Sequence, residues 1–166
     1  MRQLEHHEHR PLPGHGRRVS LALADVTDPL NVGHAFRLGA SLGAERLYLL
    51  GRTPAPPNAK LNRTARGAQH QLAWEARPLE GAWEGFRQNG LRVVAVEYAT
   101  ASRDLRAVRA ELGAAPVVLA VGNEAHGFAP ALLDGADAVA QLPMYGAISS
   151  YNVATALAIA LWEWVR

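Results

Sequence analysis

Cysteine is absent from the 166 residues. Disulfides and thiolate metal sites are thereby excluded, and a reducing compartment, the cytoplasm, is the expected location. No apolar run reaches the ~20 residues needed to span a bilayer, so no membrane partner is expected. The opening MRQLEHHEHRPLPGHGRR lacks an apolar centre and does not read as a secretory signal. Lysine occurs once, at Lys60, so nearly every cation is a guanidinium. Acidic residues are missing from Arg46 to Trp74, where Arg46, Arg52, Lys60, Arg63, Arg66 and His70 all fall. Arginine grips phosphate with a planar fork, and clustered arginine is a nucleic-acid footprint. A GC-rich genome favouring arginine codons is the plain alternative for the arginine count, though it explains the acid-free stretch less well.

What is present suffices for one domain with a full core, since 49% of the residues are apolar. Residues 1–18, rich in His, Pro and Gly, read as a flexible tail, and 19–166 as a single domain. VSLALADV (19–26), RLYLLG (46–51), QLAWEA (71–76), LRVVAVEY (91–98), PVVLAVGN (116–123) and AVAQLPM (138–144) read as strands or extended pieces. Helices are expected over VGHAFRLGASLGA, with Val32, Phe36, Leu38 and Leu42 toward the core. Further helices are expected over LEGAWEGFRQNG, DLRAVRAELG, PALLDGA and from Asn152 onward, with one or two turns in LNRTARGAQ. Continuous apolar strands alternating with helices predict an α/β fold with a largely parallel sheet and helices on both faces.

Ligands of such sheets bind outside the carboxyl ends of the strands. Three polar loops follow strands here: DVTDPLNVGHAFR, GNEAHGF and PMYGAISSYN. Taken singly, each is ordinary turn chemistry, with Asn and Gly chosen for backbone angles. Three together at strand ends point to a site. No GxGxxG follows the first strand, which weighs against a nicotinamide-dependent enzyme, and no GxxxxGK[ST] occurs. His6, His7 and His9 lie in the tail without a frame, so no metal site is expected. A Ser–His–Asp hydrolase would need the GxSxG elbow, which is missing.

In order, the three loops resemble the motifs of the SpoU (TrmH-like) branch of the SPOUT RNA methyltransferases. Asn31, Gly33 and Arg37 match N-x-G-x-x-x-R. VGNEAHGF matches the second motif, with Gly122, Asn123, Glu124 and Gly127 in place. LPMYGAISSYNVATA matches the third, with Pro143, Met144, Gly146, Ser150 and Asn152. Tyr151 stands where Leu is frequent and Ala154 where Ser is frequent.

The resemblance, which covers roughly 19–166, implies methyl transfer from S-adenosylmethionine to a ribose 2′-hydroxyl of tRNA or rRNA, without metal. It implies a C-terminal deep trefoil knot, which sequence pattern does not supply and the general rule against knots opposes. It also implies a homodimer in which Asn31 and Arg37 meet the cofactor loops across the subunit interface. Cofactor contacts are expected from Ala120, Val121, Gly122, Leu142, Met144 and Ser150. Catalytic roles are expected for Arg37, Asn31, Glu124, Ser150 and Asn152, and RNA contacts for Arg52, Lys60, Arg63 and Arg66. Glu124 would orient the arginine or the loop, or act as a helix N-terminal acid. Arg37 is either a general base or a protonated fork that positions the RNA. Asn31, on the same helix, would hold the loop or the Arg37 side chain. A non-catalytic RNA-binding or assembly factor on the same fold is the alternative function.

Overall fold

The computed structural model describes residue 5 and residues 8–166. His6 and His7 of the tail cluster lie outside these residues. The elements run β1 (Val19–Ala24), α1 (Pro29–Leu42), β2 (Leu47–Leu50), α2 (Ala59–Ala65), a 3-10 turn (Ala68–His70), β3 (Trp74–Arg77) and α3 (Ala82–Gln88). They continue β4 (Arg92–Val96), β5 (Arg103–Asp104), α4 (Leu105–Leu112), β6 (Val117–Val121), α5 (Pro130–Asp134), β7 (Ala138–Gln141) and α6 (Val153–Val165).

The strands form one seven-stranded sheet in the order β3-β2-β1-β6-β4-β7-β5. Every pairing is parallel. Interior strands β1, β2 and β6 bury every residue, whereas both residues of edge strand β5 are exposed. This is why the interior strands are unbroken apolar runs: both faces are covered. One face carries Leu21, Leu23, Leu119 and Val121 against α1, α2, α4 and α6. The other carries Ala22, Ala24, Val118 and Ala120 against Trp83 and Phe86 of α3, with Phe128 and the flanking leucines of α5.

Two sequence expectations change. α1 starts at Pro29, inside the segment read as a turn, because Asp28 caps it by accepting the Leu30 N–H at 2.9 Å and proline occupies the first helical position. Leu38 does not join the core: α1 buries Asn31, Val32, Gly33, Ala35, Phe36 and Gly39, leaving Leu38 at a side groove. The two-residue β5 carries no sequence signal and was not foreseen. In α6, Leu157, Leu161 and Trp164 are spent internally, while Trp162 stays 56% exposed.

The glycine of the first motif serves packing. A Cβ on Gly33 would stand 2.7 Å from Thr64 Cβ and 2.8 Å from the Leu61 carbonyl oxygen, so its absence lets α1 and α2 touch backbone to backbone. α2 thereby holds Lys60, Arg63 and Arg66 outward on a fixed base. Ahead of β1, the His15 imidazole stands 3.1 Å from the Leu42 carbonyl, Arg17 donates to the Gly113 carbonyl and Arg18 pairs with Glu45.

Candidate active site

The carboxyl ends of β1, β6 and β7 deliver the three polar loops to one end of the sheet, where side chains tie them together. Glu124, after β6, accepts from the Thr27 N–H at 3.0 Å, the Thr27 hydroxyl at 3.3 Å and the Asp28 N–H at 3.0 Å. It also accepts from the Asn31 amide at 3.0 Å. Asn31 Oδ1 in turn accepts from the Asn152 amide at 3.0 Å. Asn152 Oδ1 caps α6 by accepting the Ala154 and Thr155 N–H groups. One chain of hydrogen bonds thus runs from the loop after β6, through the start of α1, to the start of α6. Burial raises the pKa of Glu124, but the hydrogen bonds from Thr27, Asn31 and Asp28 outweigh it and bring the carboxyl down to about 2. Glu124 is ionised at neutral pH and clamps the start of α1 from a distant loop.

A cavity of about 540 Å³ opens above this relay, within the range of small-molecule sites. Val121, Leu142, Met144 and Ala156 give it an apolar side; Glu97, Ser150 and Asn152 give it polar groups. Gly122 is required by the protein itself: a Cβ there would lie 2.5 Å from the Gly127 carbonyl carbon. The Asn123–Gly127 loop closes on itself by paired backbone hydrogen bonds of 3.1 and 2.9 Å, and Asn123 Oδ1 accepts two further N–H groups within it. The Tyr151 hydroxyl donates to the Pro143 carbonyl at 3.0 Å, pinning the two ends of the last loop.

Of the expected cofactor residues, Val121, Gly122, Leu142, Met144 and Ser150 line the cavity. Ala120 does not. Side chains alternate along a strand, and Ala120 points into the α3 face of the core while its neighbour Val121 faces the cavity. Asn31, Glu124 and Asn152 meet within a single chain, so Asn31 needs no second subunit to reach the loops. Asn31 also does not hold Arg37. Six residues of helix turn the side chain by roughly 240°, and Arg37 is exposed along a separate groove with His34, Leu38, Ser41, Asn152 and Thr155. Among the described residues the Arg37 side chain has no hydrogen bond or ion pair. Arg63, Arg66, Lys60 and Arg52 are likewise exposed, and Arg52 Nε lies 3.6 Å from Asp25.

Sequence reasoning missed the end of β4. Val96, Glu97 and Tyr98 line the cavity, and a Glu97 carboxylate oxygen fills the space where a Cβ on Gly127 would sit. The signal was available: an interior parallel strand, VVAV, followed at its carboxyl end by Glu-Tyr. Among the described residues there is no group of three or more metal-ligating side chains, and no helix is long and apolar enough to cross a membrane.

Comparison with known proteins agrees with this geometry. The 23S rRNA (guanosine-2′-O-)-methyltransferase RlmB of Pseudomonas aeruginosa is 32% identical over 152 residues, which cover 91% of this chain and 60% of that protein. A crystal structure of an rRNA methyltransferase from Sinorhizobium meliloti superposes with a TM-score of 0.81 at 32% identity, covering 91% of this chain and 56% of that one. The AdoMet-bound form from the same organism gives 0.81 at 29% identity, covering 93% and 60%. The chain therefore spans 56–60% of the length of these relatives. The sequence profile of the SpoU rRNA Methylase family matches residues 18–162, nearly the whole domain, and the chain belongs to that family.

Proposed function

We propose that the protein is an S-adenosylmethionine-dependent RNA 2′-O-ribose methyltransferase acting on tRNA or rRNA. The observation that carries the reading is the Glu124–Asn31–Asn152 relay, which fastens three strand-end loops beneath one part-apolar cavity. The donor set suits the cofactor. Leu142, Met144 and Val121 offer a dry slot for an adenine, and Glu97 offers a carboxylate to a cationic or hydroxyl-bearing group. S-adenosylmethionine supplies an electrophilic methyl group on a sulfonium.

The chain's own residues supply position and charge. Arg37 stays protonated, as a guanidinium does in proteins. It forks onto the RNA phosphate, orients the ribose and stabilises negative charge growing on the 2′-oxygen, whose proton passes to a phosphate oxygen or to water. Glu124 and Asn31 hold the loops rigid, and Ser150 lies at the cavity wall. Lys60, Arg63 and Arg66 draw in the RNA backbone.

Within one chain the Arg37 groove and the cavity share only Asn152 among their lining residues. A two-fold pairing across α1 and α6 would set one chain's Arg37 against its partner's cavity, and the exposed Trp162 and Ile159 of α6 supply apolar area for it. The C-terminal segment, from β7 to α6, is knotted in this reading, as the family resemblance implies.

Calorimetry with S-adenosylmethionine should give one saturable site per chain. Loss of a 2′-O-methyl mark in RNA from a deletion strain should identify the substrate. Saturable RNA binding without cofactor binding would favour an assembly factor on the same fold. A fully active monomer in sedimentation at micromolar concentration would defeat the dimer.

A further inference from the structure

A second cavity, of about 360 Å³, shares the wall Asn123, His126 and Gly127 with the first. Its apolar lining includes Ala24, Leu79, Phe128 and Leu132; its charged groups are Asp25 and Arg52. None of the methyl-transfer roles above uses it.

Asp25 is built into place. It has φ 55, a left-handed conformation that only Asn, Asp and Gly adopt readily. Its carbonyl accepts from the Asn123 amide at 2.8 Å, and its Oδ1 accepts the Arg52 N–H at 2.7 Å. The Arg52 guanidinium Nε lies 3.6 Å from the same oxygen, and the Arg52 side chain is 73% exposed. Gly51 makes room, since a Cβ there would sit 2.3 Å from that carboxylate oxygen. A strained aspartate, locked to two neighbouring loops, therefore presents a carboxylate beside a guanidinium at the rim of an apolar cavity.

The two charges cancel, so a bare phosphate gains little from the pair. A flat ring whose edge carries both donors and acceptors gains from both. Guanine has that edge: N1–H and N2–H suit the carboxylate, O6 and N7 suit the guanidinium, and the ring suits Phe128 and Leu79. Uracil and cytosine each offer fewer donors, and adenine lacks an acceptor corresponding to O6. We propose that this cavity reads a guanine base of the substrate RNA, splayed out beside the cofactor cavity. The inference rests on the methyltransferase reading for its RNA.

The test is titration of the full chain with GMP, AMP, CMP and UMP, followed by saturation-transfer NMR, with S-adenosylmethionine calorimetry run in parallel. GMP should bind about tenfold tighter than the other three. Asp25→Asn, which keeps a residue suited to the left-handed backbone, should erase that preference, and Arg52→Ala should weaken GMP binding. Both variants should bind S-adenosylmethionine as the parent does. Equal affinity for the four nucleotides, no saturable GMP binding up to about 10 mM, or an intact guanine preference in Asp25→Asn would overturn the proposal. A guanine preference in a protein that fails to bind S-adenosylmethionine would uphold the cavity and overturn the methyltransferase reading.

Discussion

Replacing Glu124 with glutamine removes the charge at the hub of the relay while keeping its shape. The carboxylate accepts from Thr27 N–H and hydroxyl, Asp28 N–H and Asn31 amide. A hydrogen bond to a charged group contributes ~1.5–3 kcal/mol when buried, but Glu124 is exposed on one side, and water can replace part of what is lost. The glutamine also turns an NH₂ group toward one or more of these donors. The expected destabilisation is about 1–2 kcal/mol at neutral pH.

The pH dependence gives a second, sharper check. The folded carboxyl sits at about 2, below its ordinary 4.5. A depressed pKa means that the stabilisation is fully present above about 4.5 and is lost as pH falls from there toward about 2. Urea denaturation of parent and Glu124→Gln at pH 7, 4 and 3 should therefore show a stability gap that narrows as pH drops. Calorimetry at pH 7 should also show weaker S-adenosylmethionine binding, because the same loop walls the cavity. A gap of constant size across this range, or no gap at pH 7, would refute the account of Glu124 as an ionised clamp.

Gly33→Ala places a methyl group 2.7 Å from Thr64 Cβ and 2.8 Å from the Leu61 carbonyl, so α2 must shift; chemical denaturation should show a loss of about 1–3 kcal/mol, and an unchanged midpoint would mean that α2 is free to slide. Reversing the charge of Arg63 and Arg66 should lower the salt slope of RNA binding by about one unit per removed phosphate contact, and an unchanged slope would reduce this face to a solvated surface. Arg37→Ala should keep cofactor binding and lose most single-turnover methyl transfer. Arg37→Lys should not recover it, because lysine cannot form a fork; a strong rescue between pH 7 and 10 would instead favour proton abstraction by this residue.

The sheet was legible because its interior strands are buried on both faces and so appear as unbroken runs such as VVLAV. β5 was not, since two residues pair by backbone alone and leave no side-chain pattern. The three loops were legible as a set, but their wiring was not. Glu124 reaches Thr27, 97 residues away, and Asn152 reaches Asn31, 121 residues away; spacing along the chain says nothing about such partners. The resemblance could name Asn31 and Arg37 together, but only helix geometry separates a buried Asn31 from an exposed Arg37. Ala120 lies off the cavity for a related reason: proximity to Gly122 in sequence does not fix which side of the strand a side chain faces.

The strand order also has a consequence for synthesis on the ribosome, where the chain emerges amino end first. β1 can pair with β2 as soon as both are made, but β4 has only β6 and β7 as neighbours. β5 has only β7. Both must wait, unpaired, for strands translated later. The face of β1 and β6 that carries Leu21 and Leu119 is covered only in part by α1, α2 and α4, and closes when α6 arrives with Leu157, Leu161 and Trp164. A nascent chain thus keeps apolar surface exposed until α6 is made, and its three loops have no common anchor before Asn152 is made. Holdase chaperones should find their longest window on this half-built sheet, and a chain cut before α6 should aggregate rather than retain a fraction of its activity.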